Sequence, residues 1–121
     1  MCMRAQQKKE AAADAVANEV RLVGRVSQMP EEKVLPSGDV LWTFRVVVPR
    51  PEAAGRNAVD ALECAAWSAR ARRSVASWQA DDVVEVSGAV RRRFFRTGSG
   101  AASRVEVEVS RGRLIRRAGS G

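Results

Sequence analysis

The sequence predicts an all-β domain: a five-stranded Greek-key barrel with one short helix between the third and fourth strands. Two observations support this prediction. Apolar and polar residues alternate in several short segments, as they do in strands that bury one face. One segment in the middle instead repeats its apolar residues at helical spacing. The chain has 121 residues, enough for one domain with a modest core.

The first two strands follow a polar N-terminal segment. Residues 1–17 are rich in Ala, Lys, Gln and Glu, so we expect a flexible extension or a frayed helix there. The segment VRLVGRV (20–26) alternates and predicts a half-buried strand. The turn sequence PSGD (36–39) precedes VLWTFRVVV (40–48), which has the β-branched and aromatic composition of a strand.

The third strand leads directly into the helix. DALECAAW (60–67) predicts a strand, although alanine has a low β propensity. Ala71, Val75 and Trp78 then recur at i, i+4 and i+7, which gives a short helix one apolar face. Ser68 stands where a side chain can cap the N-terminus of that helix. We therefore expect Trp78 to lie in the core.

The last two strands carry two adjacent aromatic residues. DDVVEVSGAVRRRFF (81–95) and RVEVEV (104–109) both alternate, and the turn sequence TGSGAAS (97–103) separates them. Side chains alternate across a strand, so Phe94 and Phe95 should lie on opposite faces. We expect one of them to be interior and only one to be bare.

Three strands, a helix and two more strands match the oligonucleotide/oligosaccharide-binding (OB) fold, in which the helix plugs the barrel. An immunoglobulin-like sandwich would need about seven strands and no helix. We assign residues 18–118 to this domain and 119–121 to a short tail.

Composition removes several classes of function. The chain has no histidine and no glycine-rich phosphate-binding motif, so the usual catalytic pairs and nucleotide sites are missing. We expect no catalytic activity, no metal and no cofactor.

The two cysteines of the chain do not make a disulfide framework, and no segment has the composition of a signal peptide or a membrane span. We therefore expect a cytoplasmic protein with no membrane partner.

The net charge of +7 comes entirely from the second half of the chain. Residues 1–69 hold nine bases and nine acids, whereas residues 70–121 hold twelve arginines and five acids. Guanidinium groups bind phosphate and stack on flat rings. An arginine-rich region around two phenylalanines is therefore typical of a nucleic-acid partner, although a solvated face is the alternative.

The ordered set of segments resembles the bacterial single-stranded-DNA-binding protein family, and its actinobacterial members in particular. The resemblance rests on NEVRLVGRV, PSGDVLWTFRVVV, ECAAW, SVASW and the pair VEVSGAVRRRFF and VEVEV, with glycines at Gly24 and Gly88. It implies single-stranded DNA as the partner and a homo-oligomer, either a tetramer or a dimer. Roles in the replication, recombination and repair of DNA, and association with the nucleoid, follow from the same resemblance.

The resemblance also implies the site. Trp67 and Phe95 fall on positions where the family stacks bases, and arginines are expected to follow the phosphates. The arginines assigned to this role are Arg91, Arg93 and Arg96 beside Phe95, and Arg21, Arg25, Arg45, Arg72 and Arg73 elsewhere. Arg92, beside Phe94, is expected to reach a subunit contact instead.

The sequence departs from the family pattern in three ways. Ala61 stands where the family has an aromatic residue, so we expect weaker stacking. Trp42 replaces a small residue, and we expect it to fill the core or cover a subunit contact. The chain stops at RRAGSG without the family's acidic tail, so we do not expect it to recruit repair or replication proteins; it would be a short paralogue or a barrel-only fragment. RNA binding and a protein-interaction module without nucleic-acid binding are the alternatives.

Overall fold

The computed structural model describes residues 15–51 and 58–119. Most of the predicted N-terminal extension and most of the loop after the second predicted strand lie outside the described residues. The described ranges form one helix and six strands. Their bounds are β1 Val20–Val26, β2 Glu31–Val34, β3 Val40–Pro49, β4 Val59–Ala66, α1 Ala69–Ala76, β5 Val83–Thr97 and β6 Gly100–Arg116.

Five of these strands close into a barrel. The sheet order is β1-β5-β6-β4-β3, and β3 pairs back with β1 through Arg25 opposite Val47 and Val26 opposite Val46. Neighbouring strands are antiparallel except β4 and β6, which are parallel. The helix follows β4 and precedes β5, as the sequence predicts. The predicted OB fold is therefore confirmed.

The short strand β2 was not predicted. Its sequence EEKV has no apolar alternation, and all four residues are exposed. It pairs with the start of β3 around the PSGD turn, where Gly38 has a φ of 94°. Backbone hydrogen bonding to β3 makes this segment a strand without any apolar pattern, so alternation alone could not reveal it.

The helix closes one end of the core. Ser68 accepts a hydrogen bond from the Ala71 amide at 3.1 Å, as expected of an N-cap. Ala71 and Val75 are buried, and Trp78 is 2% exposed with its ring edge-on to Phe44. The prediction of Trp78 as a core residue is confirmed. Trp42 is half-buried against the same core.

A buried carboxylate fastens the end of β6. Asp82 is fully buried and accepts hydrogen bonds from the backbone amides of Gln79 and Ala118, both at 2.8 Å. Arg117 donates to the same carboxylate at 2.8 Å. Burial acts to raise the pKa of Asp82, but the two amides and Arg117 outweigh it, so this pKa lies below its ordinary value.

Strands β5 and β6 extend beyond the barrel as a two-stranded ribbon, which we define as residues 89–106. Pairing of β1 with β5 stops at Gly88, and pairing of β4 with β6 starts at Val107. At the base of the ribbon, the Asn18 side chain donates to the Val90 carbonyl at 2.7 Å and accepts from the Val90 amide at 2.8 Å. Beyond this point, the ribbon strands pair only with each other among the described residues.

The base of the ribbon depends on a close backbone approach. A Cβ on Gly88 would overlap the carbonyl oxygen of Glu108 on the neighbouring strand. Because that obstacle is backbone, no side-chain movement can relieve it. Glycine at position 88 is therefore required for β5 and β6 to stay paired where they leave the barrel.

Candidate nucleic-acid interface

The ribbon has two faces with different side chains. Residues directly opposite each other share a face, so the pairs Arg91 with Glu106, Arg93 with Arg104, and Phe95 with Ala102 lie together. We call this side, with Trp67 and Glu108 at its base, the Trp67 face. The alternate pairs form the Phe94 face, which consists of Val90, Arg92, Phe94, Arg96, Ala101, Ser103 and Val105.

Trp67 lies at the base of the ribbon, immediately after the last residue of β4. Its side chain is half-buried, and the guanidinium carbon of Arg93 stands 4.9 Å from the ring centroid. This is the distance of a cation–π contact. The indole Nε1 is buried and has no hydrogen-bond partner among the described residues. One face of the predicted stacking residue is thus covered by an arginine.

The arginine above Trp67 is held by two carboxylates. Arg93 donates to Glu106 at 3.1 Å and to Glu108 at 2.9 Å. Arg91 donates to Glu108 at 3.2 Å, and Arg104 lies 3.9 Å from Glu106. The carboxylates therefore occupy positions beside these guanidinium groups that a phosphate could also take, and they offset most of the positive charge on the Trp67 face.

Phe95 lies further out on the same face and is 44% exposed. The Arg104 guanidinium is 5.7 Å from its ring centroid, near the outer limit of a cation–π contact. Phe95 therefore retains open ring surface for a flat partner. Trp67, Arg91, Arg93 and Phe95 are the predicted site residues that the structure brings onto one face.

Both phenylalanines are exposed, so the expectation that one of them is interior is wrong. Phe94 is 76% exposed, more than Phe95. The two rings do lie on opposite faces, as alternation requires. The ribbon has left the barrel at this point, and neither of its faces has a second layer of the described chain against it. Arg96 shares the face of Phe94 rather than that of Phe95.

The three predicted arginines on β1 and β3 all form ion pairs. Arg21 pairs with Glu85, Arg25 with Asp81 at 3.2 Å, and Arg45 donates to Glu63 at 2.6 Å. Arg21 and Arg113 hold the pKa of Glu85 below its ordinary value through hydrogen bonds, with Arg113 the stronger influence. Only Arg21 lies near the ribbon: it lines an open groove of about 600 Å³ together with Asn18, Ala89 and Arg91.

Arg72 and Arg73 lie on the helix. Arg73 is exposed in the last turn, whereas Arg72 is half-buried and its Nε has no hydrogen-bond partner among the described residues. Neither residue has an ion pair or a hydrogen bond to the ribbon within the described ranges. The structure thus leaves Arg25, Arg45, Arg72 and Arg73 outside the ribbon cluster.

Sequence reasoning missed the residues that neutralise the Trp67 face. Glu106 is 6% exposed and Glu108 is half-buried, and both belong to the alternating segment VEVEV. The available signal was cross-strand charge: acids at alternate positions of one strand faced arginines at alternate positions of its hairpin partner. The hairpin register was needed to pair them, and the long turn sequence left that register open.

The described residues do not offer a metal or thiol site. Among them, no group of three or more His, Cys, Asp and Glu side chains could hold a metal ion. Burial, with smaller contributions from Glu63 and Glu106, raises the pKa of the Cys64 thiol to about 12. A thiol with this pKa is protonated at neutral pH and is therefore a poor nucleophile. In the part of the chain that is described, no helix has the length and apolarity to cross a membrane.

The chain matches the model of a known protein family. The model of the single-strand binding protein family aligns with residues 17–115, which includes the whole barrel, the helix and the ribbon. No curated protein matches the chain significantly.

Proposed function

The chain belongs to the single-strand binding protein family, and on this premise we propose that it coats single-stranded DNA during replication, recombination and repair without reading its sequence. Binding of single-stranded DNA is the activity of the family. The finer proposal is that unpaired bases stack on Phe95 and Trp67 while arginines of the same face bind the phosphates. No catalytic step is involved.

The observation that carries this proposal is the combination of open aromatic rings and arginines on the protruding Trp67 face. Phe95 and Arg104 lie next to each other with ring surface still exposed. A flat partner with attached negative charge fits such a surface, because every base has a π-face and each nucleotide carries a phosphate. An open ribbon with no enclosed pocket also suits a long strand better than a small ligand.

Glu106 and Glu108 on the Trp67 face compete with DNA phosphates for the arginines of that face. Arg91 and Arg93 must exchange Glu108 for a phosphate if they are to hold the DNA backbone. The Arg91–Glu108 pair is half-exposed, and such pairs contribute only about 0–1 kcal/mol. Stacking contributes about 1–3 kcal/mol per base. For Arg91, the exchange therefore costs less than the stacking of one base contributes. Arg93 also pairs with the nearly buried Glu106, so we expect it to keep that pair and move off the ring of Trp67 when a base stacks there.

Fluorescence titration with oligo-dT tests the proposal. A base that stacks on Trp67 should quench its emission, and Trp67→Phe should abolish most of the quenching while retaining binding. Phe95→Ala should weaken binding by roughly 5- to 150-fold, the range that corresponds to one stacked base. Trp42→Phe is the matched control, because Trp42 packs against the core and should leave the quenching intact.

Two results would count against the proposal. Unchanged affinity in Phe95→Ala combined with undiminished quenching in Trp67→Phe would remove the Trp67 face from the binding site. Preferential binding of oligo-rU over oligo-dT in direct competition would instead make RNA the substrate.

We also propose a homo-oligomer, either a dimer or a tetramer. Along Val20–Gly24, β1 pairs with β5 on one side, and its pairing with β3 involves only the final residues Arg25 and Val26. Among the described residues, the other edge of this segment pairs with no strand, which leaves it available to another chain. Light scattering of the free protein gives the mass, and a monomeric mass at micromolar concentration would contradict the proposal.

A further inference from the structure

The Phe94 face has the composition of a binding surface. The sequence predicts separate roles for two of its residues, Arg96 at the DNA beside Phe95 and Arg92 at a subunit contact, and predicts no role in DNA binding for Phe94. Phe94 is 76% exposed, which makes it the most exposed aromatic side chain of the described residues. Val90 and Val105 on the same face are also exposed. An aromatic ring and two valines exposed on one face form an apolar patch, and such patches often mark an interaction site, because an exposed ring gives up the free energy of its burial.

The charge of this face differs from that of the Trp67 face. The one acid of the ribbon, Glu106, lies on the Trp67 face. Arg92 on the Phe94 face donates only to the Ser103 hydroxyl, at 3.2 Å. Arg96 has no ion pair among the described residues. Within residues 15–51 and 58–119, two guanidinium groups therefore stand without a carboxylate beside the most exposed aromatic ring.

The strand geometry places the ring between the two charges. Arg92, Phe94 and Arg96 occupy alternate positions of β5 and share one face. At about 3.3 Å per residue, the Cα atoms of the two arginines are roughly 13 Å apart, with the phenylalanine midway. Guanidinium, ring and guanidinium in a row are the groups that bind a phosphate, a base and another phosphate of a single strand.

We propose that Phe94, flanked by Arg92 and Arg96, is a second nucleobase-binding position, on the face of the ribbon opposite Trp67 and Phe95. This inference rests on the proposed function, since it assumes single-stranded DNA as the ligand. A strand long enough to pass around the ribbon contacts both faces, whereas a short strand fits on one of them. The ribbon then binds one DNA strand with both of its faces.

A second copy of this chain is the rival occupant, and charge disfavours it. In a two-fold symmetric contact the same patch meets itself, so the arginines of both copies would come together with no acid on this face to pair with them. Like charges brought together in an interface are unfavourable. A polyanion, in contrast, gains from both arginines without that repulsion.

The first test compares Phe94→Ala with Phe95→Ala on oligo-dT of two lengths: about 6 nucleotides, and about 40, well above the roughly 4–16 that one OB fold covers. For the long strand, we expect Phe94→Ala to weaken binding about tenfold. For the short strand, whose preferred place is the Trp67 face, we expect less than a twofold change with Phe94→Ala and a large loss with Phe95→Ala. Phe94→Leu should behave like Phe94→Ala, because the ring and not its apolar area is required.

The second test is photo-crosslinking of the wild-type protein to a long oligonucleotide that contains 5-iododeoxyuridine. Sequencing of the crosslinked peptide by fragment ions distinguishes an adduct at Phe94 from one at Phe95. We expect both adducts with the long strand. Adducts at Phe95 alone would overturn the inference.

The outcomes separate the two proposals. If Phe95→Ala weakens binding and Phe94→Ala does not, the second position is wrong while the proposed function stands. If neither variant affects binding, base stacking on the ribbon fails, and both the second position and the proposed binding mode are overturned. If Phe94→Ala lowers the oligomeric mass in light scattering and leaves the affinity for DNA unchanged, a second copy occupies this face and the inference is overturned.

Discussion

The two faces of the ribbon are built from alternate residues of the same two strands, and yet they differ in charge. On the Trp67 face, Arg91, Arg93 and Arg104 meet Glu106 and Glu108. On the Phe94 face, Arg92 and Arg96 meet no acid among the described residues. The comparison teaches that a row of arginines in a sequence is not one electrostatic surface, because the partner strand decides which of them stay unpaired.

The difference also suggests two modes of binding on one element. A strand on the Trp67 face must displace carboxylates, so binding there is an exchange of ion pairs. On the Phe94 face, a phosphate meets free guanidinium groups and releases counterions directly.

Substitution of Gly88 removes the ribbon and, with it, both faces. Gly88→Val should lower the free energy of unfolding by about 3 kcal/mol or more, because its Cβ overlaps the backbone of Glu108. Chemical denaturation measures this loss. Gly98→Ala in the ribbon turn is the matched control, since nothing lies within 4 Å of the added methyl group. Equal stability of the two variants would contradict the close approach at the ribbon base.

Asp82 limits the stability of the folded protein at low pH. It therefore sets the lowest pH at which DNA binding to the two faces can be compared. Because its pKa is lowered by folding, Asp82 stabilises the protein above its unfolded pKa of about 3.9, and this stability is lost as the pH falls through the folded value. Asp82→Asn should cost about 1–3 kcal/mol at pH 7, since the amide cannot accept from all three donors.

Denaturation of the wild type and Asp82→Asn across pH checks this prediction. The difference between them should be constant from pH 6 to 8 and shrink below the ordinary carboxyl pKa. A difference that grows on acidification would show that Asp82 is protonated in the folded protein.

Salt dependence distinguishes the faces directly. Arg92→Gln should reduce the slope of log affinity against log salt for a long oligo-dT by about 0.7, the value for one phosphate of a single strand. Arg91→Gln should reduce it by less, because Glu108 already offsets its charge. Titrations between about 50 and 300 mM salt measure both slopes. Identical slopes for the two variants would remove the electrostatic contrast between the faces.

Removal of a competing carboxylate should strengthen binding. Glu108→Gln frees Arg91 and leaves Arg93 paired with Glu106 alone, and we expect its affinity for a short oligo-dT to rise about two- to fivefold, as befits a partly exposed ion pair. Asp60→Asn is the matched control: Asp60 pairs with Arg50, which is not a predicted site residue, and should leave the affinity unchanged. Weaker binding in Glu108→Gln would mean that Glu108 positions these arginines for DNA rather than competing with it.

The barrel itself could be predicted because its pattern is local. Alternation in VRLVGRV and VVEVSGAV, and helical spacing of Ala71, Val75 and Trp78, each reflect one buried face of one element. The same reasoning failed for β2, whose four exposed residues owe their conformation to the hydrogen bonds of β3. A strand without a buried face leaves no periodic signal in the sequence.

By itself, the sequence determined the OB fold, the family, the buried place of Trp78 and the opposite orientation of Phe94 and Phe95, because each follows from periodicity or from an ordered set of segments. Only the tertiary structure decided that β5 and β6 extend past the barrel and expose both rings. It also decided which arginines are neutralised, since Glu106 and Glu108 reach Arg91 and Arg93 only through the register of the hairpin. That register is set by contacts between strands, and no single strand carries it in its own sequence.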